Sequence, residues 1–302
     1  MDASHEQTDE MLEQMERRIA SIYSRAESEI GERWKSYLEE TGKEIDALQK
    51  AYDKAKLGGD QDEIRKAGRE LAHAKRQRTI SDKRFKELTE KTALQITKAN
   101  ETALAYVNGQ LPSVYSMNYN ALGEIIDKTD TGYSFTLTNA ETVKNLATSN
   151  KSLLPYKELD SAKDVAWNVK KINSEVLQGI IQGDPMDRIA SRLLNVENMN
   201  ANQAIRTART AVTGAENKGR QDSYQQAEDD GIIMGKEWIA TNDSRTRHAH
   251  KELNGKIVNQ DEPFVVDGMK IMFPGDPDAD PSLVYNCRCT LGGVVLGFRK
   301  KA

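Results

Sequence analysis

The chain has 302 residues, 37% of them hydrophobic and 30% charged, with a formal net charge of −4. That length allows two or three domains, but so high a charged fraction excludes one large apolar core and points to solvated helices and loops. The acidic balance excludes nucleic-acid binding through overall charge, and no apolar run nears the roughly 18 residues that span a bilayer.

The start, Met1-Asp2-Ala3-Ser4-His5-Glu6, is polar and has no signal-peptide core, so a protein made in the cytoplasm or built into a particle there is expected. From Leu12 the apolar positions recur at helical steps through Met15, Ile19, Ile22, Ala26, Ile30 and Trp34, and then Tyr37 and Leu38. Thr41-Gly42 is a candidate interruption before Ile45, Leu48, Tyr52 and Ala55 resume the stripe. Leu57-Gly58-Gly59-Asp60 is a stronger break, with Asp60 placed to cap the next helix. A second arm is predicted from about 61 to 107 through Ile64, Leu71, Phe85 and Leu88, stopped by Gly109-Gln110-Leu111-Pro112. An αα-hairpin or short coiled coil over 1–108 is the natural reading.

The two arms differ in charge. Residues 2–46 carry 13 acidic and 6 basic side chains, whereas residues 65–98 carry 11 basic and 4 acidic. Opposite charges across a hairpin would complement each other. The alternative is that Arg65, Lys66, Arg69, Lys75, Arg76, Arg78, Lys83, Arg84 and Lys86 face DNA or an acidic partner. Few aromatics are interleaved there, which argues against a base-stacking platform.

Residues 109–199 read as a mainly helical connecting region. Tyr133-Ser134-Phe135-Thr136-Leu137 alternates like a short strand, and helices are expected near 162–179 and 186–194. Asp184 is a candidate N-cap with Pro185 in the first turn. His5 and His73 are expected to have no partner, His5 on a frayed end and His73 on a helix surface.

Residues 200–302 change character. A helix over about 202–229 ends at Gly231, and Lys236–Thr241 reads as a strand. Gly255 marks a turn, and Asp267-Gly268 suits a hairpin between Phe264-Val265-Val266 and Lys270–Phe273. A Pro/Asp/Gly loop then leads to Asn286-Cys287-Arg288-Cys289, and Val294-Val295-Leu296 completes a small sheet. The fold class is therefore α+β: a long N-terminal helical hairpin or coiled-coil region, then a small C-terminal α+β domain.

Arg209-Thr210, Asn217, the 236–241 strand, Asp243–Arg247, His250, Leu253-Asn254-Gly255 and Asn286–Cys289 stand in the order seen in the phage Mu F-like head morphogenesis family. The resemblance covers about 200–297, with Asn254 where that family more often has Asp; both suit the turn. It implies a minor head protein of a tailed bacteriophage, located in the virion head and, during assembly, in the host cytoplasm. Such a protein is expected to contact portal or major capsid protein in head assembly or DNA packaging, with no membrane partner. Some family members are ejected with the DNA, and related domains occur fused to toxins. Here the chain ends soon after Cys289, so no added C-terminal enzyme is expected. The resemblance carries Arg209, Thr210, Asn217, Arg245, Arg247, Gly255, Asn286 and Arg288 as motif residues.

His250, Cys287 and Cys289 offer one imidazole and two thiols, a set suited to Zn²⁺, with Asp243 or His248 as a candidate fourth ligand. The other reading is that two small residues share one strand face and His250 bonds in a turn. A ring closed through Cys287 and Cys289 is too tight for a comfortable structural disulfide. Arg247 is expected to pair with Asp243, or the arginines to line a phosphate contact. Asp276, Asp278 and Asp280 lack the glycine and distal glutamate of a calcium loop and read as a solvated turn. An enzyme would need an acid/base pair, for which only His250 and Asp243 are candidates, so a non-enzymatic role is expected.

Overall fold

The computed structural model describes residues 2–79, 83–127, 139–149, 154–182, 184 and 186–299. The strand expected over Tyr133–Leu137 and the first-turn role of Pro185 lie outside the described residues, and Arg78 is described for its backbone only.

The first helix, α1 (Ala3–Gly58), runs without a break through Thr41-Gly42. A glycine inside a helix costs only about 1 kcal/mol, and the stripe at Ile45, Leu48 and Tyr52 carries the helix past it. The break at Gly59 is real: its φ is +77°, and Asp60 Oδ1 accepts the backbone N–H groups of Asp62 (2.8 Å) and Glu63 (3.3 Å) at the start of α2 (Gln61–Thr79).

Pro112 does not stop the next helix, contrary to expectation. Helix α3 (Lys83–Asn120) includes it, because one missing N–H is outweighed by burial of Leu111, Val114 and Tyr115 in the same turn. Short α4 (Leu122–Asp127) and α5 (Ala140–Ser149) follow, then α6 (Ser161–Gln182). The two helices expected over 186–194 and 202–229 are one, α7 (Met186–Asp229), since Val196 and Asn200 keep a buried face between them. Asp184 stands just before α7, bonded to Arg188 and Arg192.

Beyond α7, β1 (Ile232–Ile239) is the centre of an antiparallel sheet in the order β2-β1-β5, with β2 (Ile257–Asn259) and β5 (Thr290–Phe298) at its sides. Register runs from Ile239 opposite Thr290 to Ile232 opposite Phe298, with an irregularity between Ile233 and Met234. Strands β3 (Phe264–Val266) and β4 (Met269–Ile271) form the expected hairpin. Asp267 and Gly268 both take positive φ (50° and 74°), as the two-residue turn requires. Two short helices, α8 (His248–Leu253) and α9 (Pro281–Val284), complete the region, and Asp280 caps α9.

The chain divides into two compact units. The first comprises Met1–Arg18, Leu104–Glu158 and Ala204–Ala302, and the second Ile19–Ala103 and Leu159–Gln203. Trp238, Phe264, Leu253, Leu291 and Tyr224 are at the heart of the first core. In the second, Trp34 meets Phe85 edge-on at 5.7 Å and donates to Thr92 Oγ1 at 2.9 Å, among Ile96, Ile172 and Val196.

Candidate metal centre

Helix α8 and the segment leading into β5 bring together the residues able to hold a metal. Cys287 and Cys289 precede and begin the run into β5, two residues apart, and His250 reaches them from α8. His250 Nδ1 lies 3.4 Å from Cys289 Sγ and 3.6 Å from Cys287 Sγ, and all three side chains are buried. The backbone N–H of Cys289 donates to Cys287 Sγ at 3.4 Å. His250 packs edge-on against Trp238, 5.3 Å between ring centroids, and its Nε2 has no hydrogen-bond partner among the described residues.

The two thiols are electrostatically unequal. The hydrogen bond from Cys287, aided by His250, holds Cys289 down to about 5 against the opposing effect of burial. Cys287 is pushed up, by its bond to Cys289 and by burial. Cys289 is thus the readier thiolate of the two, and a soft cation would draw the proton from both.

Asp243 is placed elsewhere. Arg288 pairs with it at 2.7 Å, and its Oδ1 accepts from the N–H of Arg245 (2.9 Å) and Thr246 Oγ1 (3.1 Å). Arg288 holds that carboxyl well below the usual carboxylate range. The expected Arg247–Asp243 pair is not formed; Arg247 donates to the carbonyl of Tyr285 instead. Among the described residues the trio is His250, Cys287 and Cys289, while His248 is exposed and paired with Glu252 at 3.2 Å. Asp276 is buried rather than solvated, accepting the N–H groups of Met272 and Asp278, each at 3.0 Å.

Two of the motif residues, Thr210 and Asn217, meet the cysteine segment from α7, with Thr213 between them. Thr210 accepts the N–H of Asn286, Thr213 donates to the carbonyl of Cys287 (2.8 Å), and Asn217 donates to that of Cys289 (3.3 Å) while accepting the N–H of Leu291 (2.8 Å). These positions lie three or four apart, on one helix face. Asn286 adopts φ +57°, a turn that asparagine tolerates and that presents Cys287 to the helix. Gly255, at φ +78°, donates its N–H to Trp238 O.

The sequence reading missed the other half of this arrangement. His5, expected on a frayed end, is buried, with Nδ1 2.7 Å from Glu216 Oε1. Arg220 clamps both carboxylate oxygens of Asp2 at 2.6 and 2.7 Å, and Arg209 clamps Glu16 at 2.5 and 3.0 Å. These partners are separated by about two hundred residues, so no local spacing announces them.

Of the basic candidates, Arg65, Lys66, Arg69, Arg76, Lys83 and Arg84 are exposed, but Lys75 is buried and donates to Gln49 Oε1 at 3.4 Å. Arg65 also pairs with Asp62 at 2.9 Å. No helix among the described residues is long and apolar enough to cross a membrane.

Comparison with known proteins supports the resemblance. Residues 170–292 match the family described as Phage Mu protein F like protein, a span holding the whole trio and all of α7 and starting before the expected residue 200. The chain is 25% identical over 291 residues to minor head protein GP7 of Bacillus phage SPP1, covering 94% of this chain and 87% of that protein. The chain thus resembles phage Mu F-like head proteins, through a family match over 170–292 and a likeness to GP7 along most of its length. It is also 31% identical over 175 residues to the NAD(+)–arginine ADP-ribosyltransferase EFV of Enterococcus faecalis (strain ATCC 700802 / V583), covering 55% of this chain. The chain spans only about a third of that relative's length (34%). No solved structure matches.

Proposed function

We propose that this Mu F-like protein is a minor component of the virion head that acts in head assembly or DNA packaging through contacts with the portal or major capsid protein. The observation that carries the reading is the likeness to minor head protein GP7 along almost the whole chain. Assembly in the host cytoplasm belongs to the same reading, and the role is structural rather than enzymatic. The test is co-purification of the tagged full chain with co-expressed portal and major capsid proteins. Retention of either at a fixed ratio supports the reading; retention of neither, together with normal filled heads in its absence, sinks it.

A second reading has the exposed Arg65, Lys66, Arg69, Arg76 and Lys83 contacting DNA, favoured by their exposure on α2 and at the start of α3. It predicts affinity that falls steeply with salt and is lost on charge reversal at Arg76 and Arg69.

We further propose that His250, Cys287 and Cys289 hold Zn²⁺. At the usual Zn–S length of about 2.3 Å and Zn–N length of about 2.05 Å, the N···S edges of a tetrahedron are about 3.5 Å. The observed separations of 3.4 and 3.6 Å fit that edge without rearrangement. Two thiolates and a neutral imidazole would neutralise the ion, removing the charge penalty of burial. Stoichiometric zinc in the purified protein supports this, and a folded, zinc-free protein that takes up none rejects it.

A further inference from the structure

Three side chains of α7 each hold two segments at once. Arg209 clamps Glu16 and also reaches Asn286 Oδ1 at 3.5 Å. Glu216 Oε1 lies 2.7 Å from His5 Nδ1 and accepts the hydroxyl of Thr290 at 2.7 Å. Arg220 clamps Asp2, donates to Ser4 Oγ at 2.6 Å, and donates to the carbonyl of Leu291 at 3.0 Å. The segment these side chains hold from the far end of the sequence is the one that carries both cysteines. The N-terminal turns and the residues flanking the cysteines therefore share these three charged side chains of α7.

We infer that the metal centre and residues 2–16 form one coupled binding unit, in which the docked N-terminal turns position the cysteines for the metal and the bound metal holds those turns on α7. This rests on the zinc reading above. The argument is one of shared partners. Glu216 and Arg220 are both almost wholly buried and lie 3.7 Å apart, so a hydrogen bond that either loses to the N-terminal turns or to the cysteine segment is not replaced by water. Metal ligation fixes the two sulfurs, and with them the carbonyls of Cys287, Cys289 and Leu291 that α7 reads. When the segment is so fixed, Glu216 and Arg220 are held in the positions that His5 and Asp2 require. When it is loose, the same two side chains can turn away and the N-terminal turns lose their seat. Coupling of this kind is reciprocal: whatever the metal does for docking, docking does for metal affinity.

Asp2, His5, Glu216 and Arg220 are positioning residues here, since none is a ligand. The experiment uses the full chain loaded with Zn²⁺ and the same chain stripped by a chelator. Hydrogen exchange of the amides of residues 3–16 is expected to speed up about tenfold or more without metal, within the usual range of coupling factors. Exchange across β1 serves as the control for folding. In the reverse direction, a double variant Asp2→Asn with His5→Ala is expected to bind Zn²⁺ about tenfold more weakly in competition with a chromophoric chelator. A Cys287→Ser, Cys289→Ser variant leaves the N-terminus intact and is expected to show the fast exchange whether or not Zn²⁺ is added. Stoichiometric zinc with unchanged exchange and unchanged affinity overturns the coupling while leaving the zinc reading standing. Absence of zinc uptake by the folded chain overturns both.

Discussion

One buried polar cluster in each unit is held by a different means. In the first, buried charge meets opposite charge: Arg220 with Asp2 and Glu216, and His5 with Glu216. In the second, the buried polar layer is mostly neutral. Tyr23 donates to Asn100 at 2.5 Å, Asn100 to Asp164 and Asn200 at 2.8 Å each, and Asn200 to Asn168 at 3.0 Å. Beside that layer Glu197 is buried, with neither carboxylate oxygen hydrogen-bonded among the described residues, and burial and the nearby Glu27 push it up to about 8. Charged pairs fix one geometry and fail when a member is removed, whereas an amide layer can re-pair and a protonated acid is tolerated. The cluster of the first unit is thus specified by its pairs, and that of the second is adjustable through one proton.

The largest expected effect tests the first half of that contrast. Arg220→Ala strands Glu216 and Asp2 and is expected to cost about 3–5 kcal/mol. Asn168→Ala in the amide layer is expected to cost about 1–2 kcal/mol. Urea unfolding followed by hydrogen exchange in β1 and in α6 reads the two separately, and equal losses would erase the distinction. The next effect tests the second half. Glu197 keeps its proton in the fold up to about pH 8 but releases it near the ordinary glutamate value of 4.5 when unfolded. The folded unit binds the extra proton between those limits, so its stability falls as pH rises through that window and levels off above it. Glu197→Gln is expected to flatten this decline, on the order of a few kcal/mol. A wild-type stability that is equal at pH 5 and pH 8.5 would contradict it.

The same contrast explains what could be read from the sequence. Within about ten residues the signals were sound: the stripe from Leu12 to Trp34, the Gly59-Asp60 break, the Asp267-Gly268 turn, and the strand before Asp243. Punctuation residues misled where packing overruled them, so Gly42 and Pro112 sit inside helices and α7 bridges the region near residue 198. The cysteine and histidine types suggested the trio, though the meeting of His250 with Cys287 depends on the sheet and could not be counted out along the chain. The N-terminal pairs were invisible, because Asp2 and His5 look like any polar helix start and their partners lie more than two hundred residues away.

A smaller effect compares close backbone approaches in the two units. A Cβ on Gly219 would stand 2.5 Å from the carbonyl oxygen of Tyr115, a backbone atom that cannot swing aside. A Cβ on Gly68 would meet only the Tyr52 ring, at 3.2 Å, and that ring can turn. Gly219→Ala is expected to cost about 1–3 kcal/mol through overpacking, and Gly68→Ala to be near neutral or to stabilise by up to about 1 kcal/mol from helix propensity. Thermal melts of the two variants decide it, and a stabilised Gly219→Ala would mean that α3 and α7 can shift apart.

The smallest effect concerns pH in the first unit. Burial works against protonation of His5, but the hydrogen bond and charge of Glu216, helped by Asp9, outweigh it and raise the imidazole above 6.5. A raised folded value means that the His5 contribution is fully present below about pH 6.5 and is lost as pH climbs through that higher value. Asp2, by contrast, is held far below the carboxylate range by Arg220 although burial opposes it, so that clamp does not titrate in the same window. Alkaline pH should therefore loosen the N-terminal turns without releasing them. Hydrogen exchange of residues 3–10, corrected for intrinsic rates, is expected to lose a modest part of its protection between pH 6 and pH 8.5, and His5→Gln should remove that dependence. If protection instead vanished over this range, Asp2 and Arg220 would not be the stronger half of the clasp, and the ranking of charged pairs in this unit would have to be reversed.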